Sequence, residues 1–394
     1  MPRRSRPSTM APSPARAGRP NNNALLLIMA VLSAIGLYCM RIGCVVHDYP
    51  IDILEGAKMG ILPNTNGVRM RKEYTGIKQV DEPLGFLVTA FLYGPTKWNE
   101  PFYWQQVHFL TQLAVIIAIM NVEACRERNQ GSWLKYTAMF TFVYQNIGGA
   151  VMLPIWWLLL HRLSGPKSYF GTGRTVPLQY ARLILPGTIL LYLLPTLAMF
   201  LPYDNLSTLE SAIAFWQFSP ILVNIPLWLA SLFTSSPSPS SPKTKNADLL
   251  HLKMLYAFLF ILSVAVHWYT IAGIANSPNP DVSGARVFVP STYTYRKSID
   301  WGLLFIFQCD WLVVGASCLI AAWVAVTDVQ RLRKGAASGE NLLEGFIVVV
   351  TVAIGGGPGA ALAAVWFWRR EDGGGGGGGG GEEGAVNRGM GGGV

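Results

Sequence analysis

Charge is scarce in this sequence: Asp, Glu, Lys and Arg together make up 13% of 394 residues. Soluble domains carry about 25%, so a water-covered globular fold is excluded by composition. Histidine is as sparse, and its five copies (His47, His108, His161, His251, His267) fall on separate segments. HExxH and paired-aspartate DDxxD motifs are absent. That pattern argues against the histidine-rich iron sites of membrane desaturases and hydroxylases, and against the Mg²⁺ site of prenyltransferases. No metal site is expected. The five cysteines (Cys39, Cys44, Cys125, Cys309, Cys318) lie in or beside apolar stretches without metal-ligand spacing, and they read as buried thiols, not a disulfide framework.

The net charge of +9 first suggests a nucleic-acid partner, but its placement does not. Arg3, Arg4, Arg6, Arg16 and Arg19 crowd the N-terminal tail, and nearly all other bases occupy loops. Bases beside apolar segments suit anionic lipid headgroups better than a DNA footprint, so no nucleic-acid partner is expected.

What the chain has instead is apolar length. Hydrophobic residues make up 51% and mean hydropathy is +0.33. A bilayer core of about 30 Å needs roughly 20 apolar residues per helix. Ala24 to Val46, Tyr103 to Glu123, Tyr136 to Leu160, Pro177 to Leu201, Ser207 to Phe233, Leu249 to Ala272, Trp301 to Val326 and Leu343 to Trp368 meet that length, which predicts about eight spans. Each must satisfy its own backbone hydrogen bonds in lipid, so the fold class is an all-α, polytopic transmembrane bundle. Asp81 to Tyr93 is apolar but too short to span, and reads as an interfacial or re-entrant helix starting near Pro83.

Around the bundle, 24–372, composition predicts three disordered stretches: the basic tail 1–23, a Ser/Pro/Lys linker at 234–247, and a Gly-rich tail at 373–394. The first span lacks a small-residue cleavage pattern and reads as an uncleaved signal anchor, which places the chain in the endoplasmic reticulum membrane.

Polar residues interrupt the spans in stripes. Gln105, His108, Gln112 and Glu123 fall near one face of a 3.6-residue helix and must turn inward, because a carboxylate facing lipid costs about 2.5–3.5 kcal/mol. Gln145 and Asn146 precede Gly148, Gly149 and Pro154, where small residues permit close helix approach. Glu210, Gln217 and Asn224 form a further stripe beside Trp216. Gln308 and Asp310 lie among Phe305, Phe307 and Trp311, and Asp310 is the most internal carboxylate of the chain. An acid among aromatic rings is a candidate for proton transfer, and Trp311 beside it for substrate contact. All these groups can equally serve as hydrogen-bonded ties between helices.

VDEPLGFLVTAF (Val80 to Phe91), VEACRERNQGS (Val122 to Ser132), YQNIGGAVMLPIWWLLL (Tyr144 to Leu160), VPLQYARLILPGTILLYLLPTLAMF (Val176 to Phe200) and WQFSP (Trp216 to Pro220) together resemble a family of fungal integral membrane terpene cyclases. That family includes the cyclase of the ascofuranone pathway. The resemblance implies cyclisation of the terpenoid chain of a meroterpenoid precursor, started by protonating a terminal epoxide, with no cofactor and with a hydrophobic small molecule as partner. The residues that match its motifs are Asp81, Glu123, Arg126, Gln145, Trp216 and Gln217. Expected roles follow. Asp81 or Glu123 is the proton donor, and Asp310, which lies outside the matched motifs and is singled out by its apolar, aromatic setting alone, is a second acid or base. Arg126 orients Glu123 from three residues away, and Gln105, Gln112, Arg126, Gln145, Trp216, Gln217 and Trp311 contact substrate. Two other classes remain open at this stage: a small-solute transporter or receptor using the polar stripes, and a non-catalytic membrane protein.

Overall fold

The computed structural model describes residues 18–50, 60–62, 65, 67–233, 246–334 and 339–369. Most of both predicted tails and of the linker lies outside the described residues. Arg19 is inside them, and its guanidinium meets Asp328 at 2.5 Å.

Among the described residues the protein is helical, and the one β-bridge pairs Ile61 with Arg69. Helix α1 (Asn22–His47) carries a π-helical turn at Tyr38–Ile42. There follow α2 (Lys78–Leu92), α3 (Glu100–Cys125), α4 (Thr137–Ile147), α5 (Gly149–Ser164) and α6 (Leu178–Met199). A bent pair, α7 (Leu206–Leu222) and α8 (Ile225–Phe233), turns by 41°. The chain continues through α9 (Leu249–Ala275), α10 (Ile299–Lys334) and α11 (Gly339–Trp368).

The centre of the bundle is α3. Asn99 accepts the Phe102 amide at 2.9 Å and Pro101 occupies the first turn, so both local signals for a helix start coincide. Its most apolar window is 94% buried, which means that it faces helices on every side and the polar stripe read from sequence is internal. Helices α9, α10 and α11 each pack on α3, α11 also packs on both α9 and α10, and α1 lies along α5.

Among the described residues six helices are long and apolar enough to cross a membrane, and seven if the bent pair counts as one crossing, against the eight predicted. The stretch Tyr136 to Leu160 accounts for one difference. Gly148 takes φ 111° and ψ 143°, which ends α4 after 11 residues and restarts the chain as α5, 16 residues long. Hydropathy averages over such a break because it registers composition and not backbone angle. The position favours glycine because its φ lies where side chains are strained; a Cβ there would also displace the end of the Met40 side chain.

Candidate active site

The break at Gly148 leaves the last carbonyls of α4 and the first amides of α5 without partners inside their own helices. Two charged side chains meet them from other helices. On the α4 side, Arg41 of α1 donates to the carbonyl of Asn146 at 2.6 Å. On the α5 side, the carboxylate of Asp310 in α10 accepts the Ala150 amide, and the Gly149 amide also donates to it. Each charge matches the partial charge of the helix end that it touches. Gly149 makes the approach possible, since a Cβ there would lie 3.1 Å from Asp310 Oδ1 and 3.3 Å from Val314 Cγ2.

Both side chains stand on the wall of a cavity of about 790 Å³ enclosed mainly by α1, α2, α3, α10 and the α4–α5 break. This is the size range of pockets that enclose a drug-sized ligand. The rest of the wall is largely aromatic and aliphatic: Phe86 and Phe91 from α2, Phe109 from α3, Tyr144 from α4, Trp216 from α7 and Phe307 from α10 contribute rings. Phe91 stands 5.0 Å from Trp216 and 4.8 Å from Phe307 between ring centres. The Trp216 indole donates to Thr196 Oγ1 at 2.8 Å, which fixes the ring and satisfies its polar atom away from water. Gln145 lines the wall and is held by Gln217, whose side-chain oxygen accepts from Gln145 at 3.0 Å.

The residues singled out from sequence therefore divide. Asp310, Gln145 and Trp216 share one cavity, with Gln217 directly behind it. The others are placed elsewhere. Asp81 is buried near the start of α2, where Oδ1 accepts from the Thr75 amide and hydroxyl at 2.8 Å each and Oδ2 accepts from the Gly76 amide at 3.0 Å. Burial pushes this carboxyl up, but the hydrogen bonds from Thr75, and from the amides of Tyr74 and Gly76, outweigh it and hold it below the usual aspartate range.

Glu123 lies at the far end of α3, fully buried. Its Oε1 is 3.0 Å from Arg126 Nε and 3.4 Å from Arg369, and accepts from the Trp366 indole at 3.1 Å. Its Oε2 is 3.8 Å from Arg128 and 3.3 Å from the Asn129 amide nitrogen. Gln105 donates to the Phe307 carbonyl at 2.9 Å. Gln112 bridges α9 to the kink of α11, donating to the Ser263 and Gly356 carbonyls and accepting the Gly359 amide. Trp311 donates to His108 Nδ1 at 3.2 Å, and His108 Nε2 is 3.0 Å from His267 Nδ1. Gln112 and Trp311 border a separate, far smaller void. Among the described residues no three His, Cys, Asp or Glu side chains converge as metal ligands.

Sequence reading missed the rings of Phe86, Phe91, Phe109 and Tyr144 as cavity wall. An aromatic in a span carries no mark of whether it faces lipid or a cavity. Arg41 was visible as a lone base inside an apolar segment, the kind of residue that signals a polar interior.

Residues 27–372 match the family model described as the CtvD domain. The terpene cyclase rstn5 of Aspergillus nomiae is 26% identical over 59% of this chain and 65% of its own. The terpene cyclase ascI of Acremonium egyptiacum is 26% identical over 52% of this chain and 53% of its own. A protein named FAD-dependent monooxygenase verC1, of Penicillium polonicum, is 26% identical over 61% of this chain but 32% of its own. The chain thus covers less than two thirds of the length of each. No solved structure matches. An all-helical membrane bundle that matches this family model over most of its length belongs to the CtvD family of fungal membrane terpene cyclases.

Proposed function

We propose that this chain cyclises the prenyl chain of a meroterpenoid precursor inside the aromatic cavity, with Asp310 as the general acid. The observation that carries the reading is the placement of one carboxyl on an aromatic wall against the amides of a broken helix. Protonated Asp310 gives its proton to the oxygen of a terminal epoxide. The C–O bond breaks with its electron pair passing to oxygen, which becomes a hydroxyl, and the adjacent carbon becomes cationic. A π pair from an alkene of the folded chain closes a C–C bond onto that carbon and moves the positive charge along. Loss of a proton from carbon ends the sequence, and the product is an isomer of the substrate.

Each part of the wall suits one step. The Ala150 and Gly149 amides stabilise the carboxylate left after proton transfer without any reorganisation. The faces of Trp216, Phe91 and Phe307 suit a moving cation, and the apolar lining keeps water from quenching it. The protein named a flavin monooxygenase, which matches this chain over a third of its own length, supports an epoxide as substrate: flavin chemistry with O₂ is a route to that group. Asp81 and Glu123 act here as structural acceptors, one for the turn at Thr75 and Gly76, the other for three guanidinium groups. Residence in the endoplasmic reticulum belongs to the same reading.

The test is turnover. Membranes carrying the chain are incubated with prenylated phenols and their terminal epoxides, and products are followed by liquid chromatography and mass spectrometry. Conversion of an epoxide to a species of unchanged mass and altered retention, with no added cofactor, is the expected result. Failure across the panel, in membranes where the chain is present and folded, overturns the reading.

A further inference from the structure

Among the described residues the cavity wall carries one cation, Arg41. A guanidinium within an apolar span is costly and persists where it faces a partner or a cavity. This one sits on the π-helical turn Tyr38–Ile42, a widened turn of the kind concentrated at functional positions. Two of its five N–H donors are in use, toward the carbonyls of Met40 at 2.7 Å and Asn146 at 2.6 Å. Both acceptors are neutral. The acids on the wall are Asp48, exposed at the rim, and Asp310, which is held by the α5 amides; the field of Arg41 reaches Asp310, but among the described residues neither acid forms an ion pair with the guanidinium.

A half-buried guanidinium therefore faces a largely apolar cavity without an ion-pair partner among the described residues. A neutral ligand leaves the guanidinium without an ion-pair partner, whereas a carboxylate matches the remaining N–H groups with two parallel hydrogen bonds. We propose that Arg41 is the anchor for an aryl carboxylate on the substrate's polar end, so that the cavity selects acidic prenylated aromatics over neutral ones. The proposal rests on the cyclase reading of this cavity and names the class of substrate that it takes. A role confined to capping α4 through the Asn146 carbonyl would confer no such selectivity.

Equilibrium binding decides between these. The full chain in nanodiscs is titrated at pH 7.5 with a tritium-labelled farnesylated hydroxybenzoic acid and, separately, with its methyl ester. The acid is expected to bind at least about tenfold more tightly. Arg41→Gln is expected to bring the acid-to-ester ratio close to one, and Arg41→Lys to keep part of the preference because the charge remains. Equal affinity of acid and ester for the unaltered chain overturns the proposal, as does a preference that survives Arg41→Gln. If Arg41→Gln fails to fold, Arg41→Lys decides in its place: a reduced acid-to-ester ratio upholds the proposal and an unchanged one overturns it. Because binding is read without turnover, an acid preference in a protein that cyclises nothing would uphold the anchor and sink the cyclase reading. Failure of both ligands to bind would sink both.

Discussion

The Asp310 carboxylate accepts the Ala150 amide across 160 positions of sequence, joining the middle of α10 to the first turn of α5. That contact exists because Gly148 stops one helix and Gly149 leaves room at the start of the next. The acid, the break and the cavity are one feature, and the predictions below follow from taking it apart.

Gly148→Ala puts a side chain at φ 111° and drives its Cβ into Met40. The strain is of order 1–3 kcal/mol, so the variant should unfold at lower temperature in detergent and lose cyclisation in parallel. An unchanged melting midpoint with full turnover would mean that the break is not required.

Trp216→Ala removes a ring from the wall beside Phe91. A desolvated cation–π contact is worth about 2 kcal/mol, or roughly 30-fold in rate. Trp216→Phe keeps a π face and should retain most of the activity despite losing the bond to Thr196. Equal rates and identical products from both variants would remove Trp216 from cation stabilisation.

Glu123→Gln leaves Arg126, Arg128 and Arg369 around a neutral amide in a buried cluster. Removing one partner of a buried ion pair costs about 3–5 kcal/mol. Expression and thermal midpoint should fall sharply, whereas the turnover of whatever folded protein remains should stay near normal. A stable but inactive variant would return Glu123 to the chemistry.

Asp81 is held below the usual aspartate range in the folded protein, so protons bind the unfolded chain first. Its contribution to stability is complete above the unfolded value of about 3.9 and is lost as pH falls through the lower folded value. The stability gap between the unaltered chain and Asp81→Asn should therefore be constant from neutral pH down to about pH 5 and close on further acidification. Denaturant titrations across that range check it, and a gap that widens with acid would reverse the assignment.

Much of this architecture was legible in the sequence. Inward placement of Gln105, His108, Gln112 and Glu123 followed from helical spacing and the cost of polar groups in lipid, and all are buried. The break at Gly148 was not legible as a break, because glycine pairs in apolar stretches serve close packing as often as they end a helix. Nor could composition sort the carboxylates. Asp81, Glu123 and Asp310 look alike as acids in apolar surroundings, and their difference lies in partners: a turn six residues away, arginines that include one 246 residues on, and a helix start 160 residues back.

The most direct measurement compares Asp310→Asn, Asp81→Asn and Glu123→Gln in one assay, with epoxide turnover normalised to folded protein by size-exclusion profile. With Asp310 as the general acid, its amide variant should fold normally and lose about 10²–10⁴-fold in rate, while the other two keep their rate per folded molecule. Full activity in Asp310→Asn, with the rate lost instead in a well-folded Asp81 or Glu123 variant, would contradict the assignment and move the chemistry out of the cavity.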